Sequence, residues 1–123
     1  MAAMSDYQPL NPVQMEQQIL EATNLVSRSI PAVSDAYDKW QQAELDYKLA
    51  YAKAYKDAAG SIEERKQTAT LLTAEEAQDL KDHEVIYKRI LDYQRAYRDK
   101  LSALQSLSKS VVAAYNSQAV GYG

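Results

Sequence analysis

An all-α fold is predicted by three features of the chain. Apolar residues recur at alternating spacings of four and three along most of its length. Only three glycines and three prolines punctuate 123 residues. No stretch shows the period-two alternation of a strand. The expected architecture is a long antiparallel α-hairpin with a short N-terminal helix, assembling through its apolar stripes into a helical homo-oligomer.

The elements follow in order. Residues 1–12 hold Pro9 and Pro12 and few packing side chains, which predicts a flexible arm. A single helical domain is expected over 13–116, with helices at about 13–29, 31–59 and 74–116, and a frayed tail over 117–123. In the first helix Met15, Ile19, Ala22 and Val26 keep the spacing, with Asn11 as N-cap and Pro12 at the first helical position. Pro31 is expected to end that helix, because Ile30 before it is pushed away from helical dihedrals.

From Pro31 to Ala59 no glycine or further proline intervenes. Val33, Tyr37, Trp40, Glu44, Tyr47, Tyr51, Ala54 and Ala58 form one stripe. Ala36, Trp40, Ala43, Tyr47, Ala50 and Ala54 form another beside it. Gly60 is placed to end the helix in the left-handed conformation. Ser61-x-x-Glu64 and Thr73-x-x-Glu76 are capping boxes. Between them, Thr68 to Leu72 is β-branched and apolar and reads as an extended link. In the last helix the stripe is Ile86, Ile90, Tyr93, Tyr97, Leu101, Leu104, Ser108 and Val111, widened by Leu80, Tyr87, Leu91 and Leu107.

Each stripe is wider than one helix–helix contact, so two helices alone leave apolar flanks in water. Self-association follows, with Trp40, Tyr47, Tyr51, Ile90, Tyr97, Leu101 and Leu104 as the core or oligomer seam. A monomeric three-helix bundle is the competing arrangement, and the unequal helix lengths weigh against it.

Composition removes several function classes. There is no cysteine, so disulfides and thiolate metal sites are excluded. The net charge is −3, which excludes a strongly basic nucleic-acid protein but leaves room for a local basic patch. No apolar run approaches the roughly 20 residues of a membrane span. Residues 1–11 lack the pattern of a secretory signal, so a cytoplasmic location is expected. Ten tyrosines with one Trp and no Phe supply aromatic area that tolerates a wet edge, as at half-exposed helix faces.

Catalytic machinery is not legible. His83 is the one histidine, set among Asp79, Asp82 and Glu84; a solvated side chain accounts for it better than a metal ligand. Glu63-Glu64 and Glu75-Glu76 fall in first helical turns, where carboxylates serve as caps. No phosphate loop or nucleophile motif is present. No metal, cofactor or enzyme activity is expected.

Tyr47, Tyr51 and Tyr55 interleave with Lys48, Lys53 and Lys56, and Arg65-Lys66 follows the break at Gly60. Cations beside aromatic rings suit single-stranded nucleic acid, with phosphates on the lysines and bases stacked on the rings. The plainer account buries Tyr47 and Tyr51 in the seam and leaves the lysines to solvate the outer face. Tyr55 is then the ring expected to be exposed. A second basic zone, Lys88-Arg89, Arg95, Arg98 and Lys100, is spread around its helix and reads as surface solvation.

A Trp-bearing helix leads to a Lys/Tyr-rich helix end, a glycine, a Glu/Arg/Lys segment and a Thr/Leu stretch. A capped long helix follows, ending in Leu-x-x-Leu-x-x-Leu-x-Lys-Ser. Over roughly residues 34–112 this layout resembles the UvsY family of phage recombination mediators. The resemblance implies a small helical protein that forms rings, a heptamer being the family's best-known state. Such proteins bind single-stranded DNA and help load a recombinase onto strands occupied by single-strand-binding protein. It also implies no catalysis and no cofactor, and a location in the host cytoplasm if the chain is phage-encoded. The positions matching the family's DNA contacts are Lys53, Lys56, Arg65 and Lys66, with Tyr55 beside them. The alternative is a structural phage assembly or scaffold protein that uses the helices only to oligomerise.

Overall fold

The computed structural model describes residues 11–121, with side chains through residue 118. The chain is all-helical among the described residues, with three helices: α1 Pro12–Asp57, α2 Ile62–Leu72 and α3 Ala74–Gly121. The expected arm lies almost wholly outside the described residues. Part of the expected tail is helical, since α3 continues to Gly121.

The described residues form two compact units, one joining 11–28 with 94–121, the other comprising Ser29–Tyr93. The expectation of one domain over 13–116 is replaced by these two. The first unit contains the start of α1 and the second part of α3. The second contains the rest of α1, all of α2 and the first part of α3. Within this second unit α1 and α3 run antiparallel. Trp40 stacks on Tyr87 at 5.1 Å between centroids, while Asp46, further along α1, shares a cleft with Glu75 and Asp79 at the start of α3.

The separate N-terminal helix does not exist. α1 passes through Pro31 without interruption. The reason lies in its packing line: Met15, Ile19, Ala22, Val26, Ser29, Val33, Ala36, Trp40, Ala43, Tyr47, Ala50 and Ala54 alternate four and three, and each is buried or half-buried. The register does not slip at Pro31, which is exposed two residues after Ser29. Proline removes one N–H, leaving the carbonyl of Ser27 without its helical partner. Ser27 is exposed, so water can bond that carbonyl.

The start signal of α1 is realised, while the helix stops at Asp57, two residues before the expected end at Ala59. Asn11 Oδ1 accepts from the Gln14 N–H at 2.8 Å, and Gln14 Oε1 accepts from the Asn11 N–H at 3.0 Å, a reciprocal cap. At the other end Gly60 has φ +107°, a conformation that side-chain-bearing residues rarely adopt. A Cβ there would collide with the Glu64 carboxylate.

Thr68–Leu72 is helical, not an extended link. Thr68 Oγ1 donates to the Glu64 carbonyl at 3.0 Å and Thr70 Oγ1 to the Lys66 carbonyl at 2.9 Å. These bonds one turn back make the β-branched residues compatible with a helix. Of the two capping boxes, the first forms in part: Ser61 Oγ accepts from the Glu64 N–H at 3.2 Å. The second does not form. Buried Thr73 is the C-cap of α2 and donates Oγ1 back to the Ala69 carbonyl at 2.6 Å.

On α3 the packing line is Glu76, Leu80, His83, Tyr87, Ile90, Gln94, Tyr97, Leu101, Leu104, Ser108 and Val111. It differs from the expected stripe at two places. Ile86 and Tyr93 are exposed, and their neighbours Tyr87 and Gln94 take the packed positions. The packed line alternates four and three throughout, whereas the expected stripe takes two steps of four in succession at Tyr93, Tyr97 and Leu101. The expected seam residues Trp40, Tyr47, Tyr51, Ile90, Tyr97, Leu101 and Leu104 are all half-buried.

Because small residues dominate the closest line of α1, overpacking it is costly. Ala43→Leu should destabilise by about 1–3 kcal/mol, whereas Ala96→Leu on an exposed position should change stability by less than about 0.5 kcal/mol. Pro31→Ala restores one helical hydrogen bond and should stabilise by about 1–3 kcal/mol. Urea unfolding followed by circular dichroism measures all three. A Pro31→Ala variant no more stable than the parent would contradict a continuous α1.

Candidate functional site

The residues singled out by sequence lie around the α1–α2 turn, in the unit Ser29–Tyr93. Arg65 and Tyr55 form a local clasp there. Arg65 donates Nε and Nη2 to the Tyr55 carbonyl at 3.3 and 3.1 Å, and its guanidinium lies 4.6 Å from the centre of the Tyr55 ring. The carbonyl belongs to the last turn of α1, where helical N–H donors run out. A planar fork can satisfy that acceptor and cover a ring at the same time. Both residues are half-buried, so Tyr55 is not the exposed ring that sequence spacing suggested.

Lys53, Lys56 and Lys66 behave differently. All three are exposed, and none forms an ion pair among the described residues. Lys53 and Lys56 lie within one turn of each other on α1, and Lys66 follows Arg65 on α2. Lys48, by contrast, is paired with Glu44 at 3.1 Å, and Lys88 with Glu84 at 2.9 Å. Tyr47 and Tyr51 are half-buried with centroids 6.1 Å apart, on the packed side of α1.

An acidic feature had no sequence-based role. Asp46, Glu75, Glu76, Gln78, Asp79 and Asp82 line a cleft of about 600 Å³ with Ala43 at its base. Glu76 Oε2 is buried in the chain without a hydrogen-bond partner. Among the described residues no group of three or more His, Asp or Glu is arranged to hold a metal ion. His83 is half-buried on the packing line of α3, 3.7 Å from Asp79, not on an outer charged face.

Sequence reasoning also gave no role to Leu45 and Leu49, which are 50% and 61% exposed. Their signal was present as spacing, but the longer stripe beside them absorbed it. No helix among the described residues is long and apolar enough to cross a membrane. Comparison with family models, with curated proteins and with solved structures finds no match to the chain. The functional reading therefore rests on these residues and on the resemblance their order carries.

The clasp predicts a structural phenotype for Arg65. Arg65→Ala should cost about 1–2 kcal/mol and speed amide exchange in α2. Arg65→Lys should fail to rescue, because one ammonium cannot supply the fork and the stacked plane together. Hydrogen exchange followed by mass spectrometry reads this. Unchanged α2 protection in Arg65→Ala would show that the clasp does not hold the helix.

Proposed function

We propose that the chain is a non-catalytic, homo-oligomeric single-stranded-DNA-binding protein that acts as a recombination mediator of phage type. In this role it helps load a recombinase or annealing protein onto strands held by single-strand-binding protein. The observation that carries the reading is the set Lys53, Lys56 and Lys66, exposed and without an ion pair among the described residues, around the α1–α2 turn. Each is free to meet a phosphate, and none has to abandon an internal partner to do so. Arg65 contributes by fixing the start of α2, which places Lys66, and not as a direct contact.

Self-association supports the reading in two ways. Among the described residues the buried apolar side chains are Met15, Ala22, Ala36, Ala43 and Ala69, of which only Met15 is large. Meanwhile Val13, Leu20, Leu49, Ile62, Leu71 and Leu72 are each at least 60% exposed. Burying one such leucine is worth about 2 kcal/mol, so an assembly that covers them gains what the single chain leaves unused. Repeating a small basic cluster once per subunit then turns a few weak phosphate contacts into useful affinity, even on a net-acidic chain. A ring-like assembly fits this arithmetic, whatever its number of subunits. No cofactor is invoked.

One observation favours a second reading. The acidic cleft lies in the same unit as the lysines and repels a polyanion. A structural phage assembly or scaffold protein would need only the exposed apolar faces, with the lysines as solvating charges.

Titration of fluorescent oligo-dT at two salt concentrations separates the two. The mediator reading expects binding that weakens steeply with salt, with log K falling by about 0.7 per phosphate contact for each decade of salt. Lys53→Ala with Lys66→Ala should lower that slope by about 1.4 per subunit without changing the melting curve. No binding at low salt removes the mediator reading and leaves the scaffold.

A further inference from the structure

On the face of α1 turned away from its packing line runs a second, shorter stripe. Leu45 follows Ala43 by two residues, a rotation of about 200° on a helix, and it is 50% exposed where Ala43 is 4% exposed. Asp38, Gln42, Leu45, Leu49, Ala52 and Lys56 alternate four and three without a break, and all six are exposed. This is a coiled-coil seam with an acid at one end, a base at the other and two leucines at its centre. Neither Asp38 nor Lys56 forms an ion pair among the described residues.

We propose that this seam is where a second copy of the chain docks, the two α1 helices lying antiparallel about a two-fold axis. Charge order selects both the occupant and its direction. When the stripe is laid against its own reverse, Leu45 meets Leu49 of the partner subunit, Gln42 meets Ala52 and Asp38 meets Lys56. Each pairing occurs twice by symmetry. Parallel pairing would instead set Asp38 on Asp38 and Lys56 on Lys56. Lys39 and Lys48 beside the seam are held by Asp35 and Glu44 within their own helix, at 3.2 and 3.1 Å, which lowers the charge a partner must approach.

The proposal rests on the self-association part of the reading above and sharpens it. A two-fold contact builds assemblies in even numbers, which departs from the heptamer implied by the resemblance. It also claims Lys56, so the lysines left for DNA are Lys53 and Lys66.

The chain has no cysteine, so single-cysteine variants of the full chain report geometry directly. Positions 38 and 56 are 18 residues apart, about 27 Å along a helix. Oxidising a mixture of Asp38→Cys and Lys56→Cys should give a disulfide dimer at least ten-fold more abundant than either variant alone. In the mixed dimer one Asp38–Lys56 pair remains to hold the register. Dimers from each variant alone, with none specific to the mixture, would show parallel pairing and overturn the proposal. No cross-link in any sample, with an oligomer still seen by light scattering, would place the contact on another face. That too overturns it, while leaving the mediator reading to the DNA titration. A monomer at tens of micromolar would remove both self-association and this seam. As an independent arm, Leu45→Asp with Leu49→Asp replaces exposed residues only. It should keep helicity and unfolding of the single chain while halving the mass measured by light scattering; an unchanged mass overturns the proposal.

Discussion

Close approach of α1 to its neighbours, permitted by small side chains at every seventh residue, is the constraint on which the rest depends. Met15, Ala22, Ser29, Ala36 and Ala43 are the buried members of the α1 line, and four of the five are alanine or serine. Small residues let backbones come near, but they bury little apolar area each. The larger residues between them, Ile19, Val26, Val33, Trp40 and Tyr47, are only half-covered. The single chain thus obtains order and register from this line more than it obtains stability.

That economy explains why so many large apolar side chains remain in water. Leu71 is 78% exposed and Leu72 68% on a helix of 11 residues whose buried member is Ala69. Such exposure is costly for an isolated chain and ordinary for a subunit. The same logic separates the roles of neighbouring cations. Arg65 is used up closing the end of α1, and Lys53, Lys56 and Lys66 are exposed with no ion pair among the described residues.

Much of this was legible in the residues. The four-three spacing, Asn11 as a cap and Gly60 as a terminator each act within a turn or two of chain. Local hydrogen bonding and sterics decide them. The errors share a cause as well. Proline usually ends a helix, yet here Pro31 occupies an exposed position of an unbroken register, and the carbonyl it orphans belongs to exposed Ser27. Thr73 has the sequence of an N-cap, yet its hydroxyl bonds backward to Ala69, because it closes one helix as the next begins. Around the candidate site, interleaved lysines and tyrosines were visible, but the capture of Tyr55 by Arg65 was not, since it joins residues ten apart across a turn.

By itself, the sequence determined that the chain is helical, where α1 begins and that a break falls at Gly60. Those outcomes depend on backbone preferences that each residue carries with it. Tertiary structure decided which face of α3 is packed, covering Tyr87 and Gln94 and leaving Ile86 and Tyr93 exposed. It also decided that Arg65 is spent inside the fold while Lys53, Lys56 and Lys66 are not, and that Leu45 and Leu49 face outward. The physical reason is common to these cases. A four-three repeat allows more than one face to be apolar, and only the partner helix, by covering one of them, settles which face is core and which is surface.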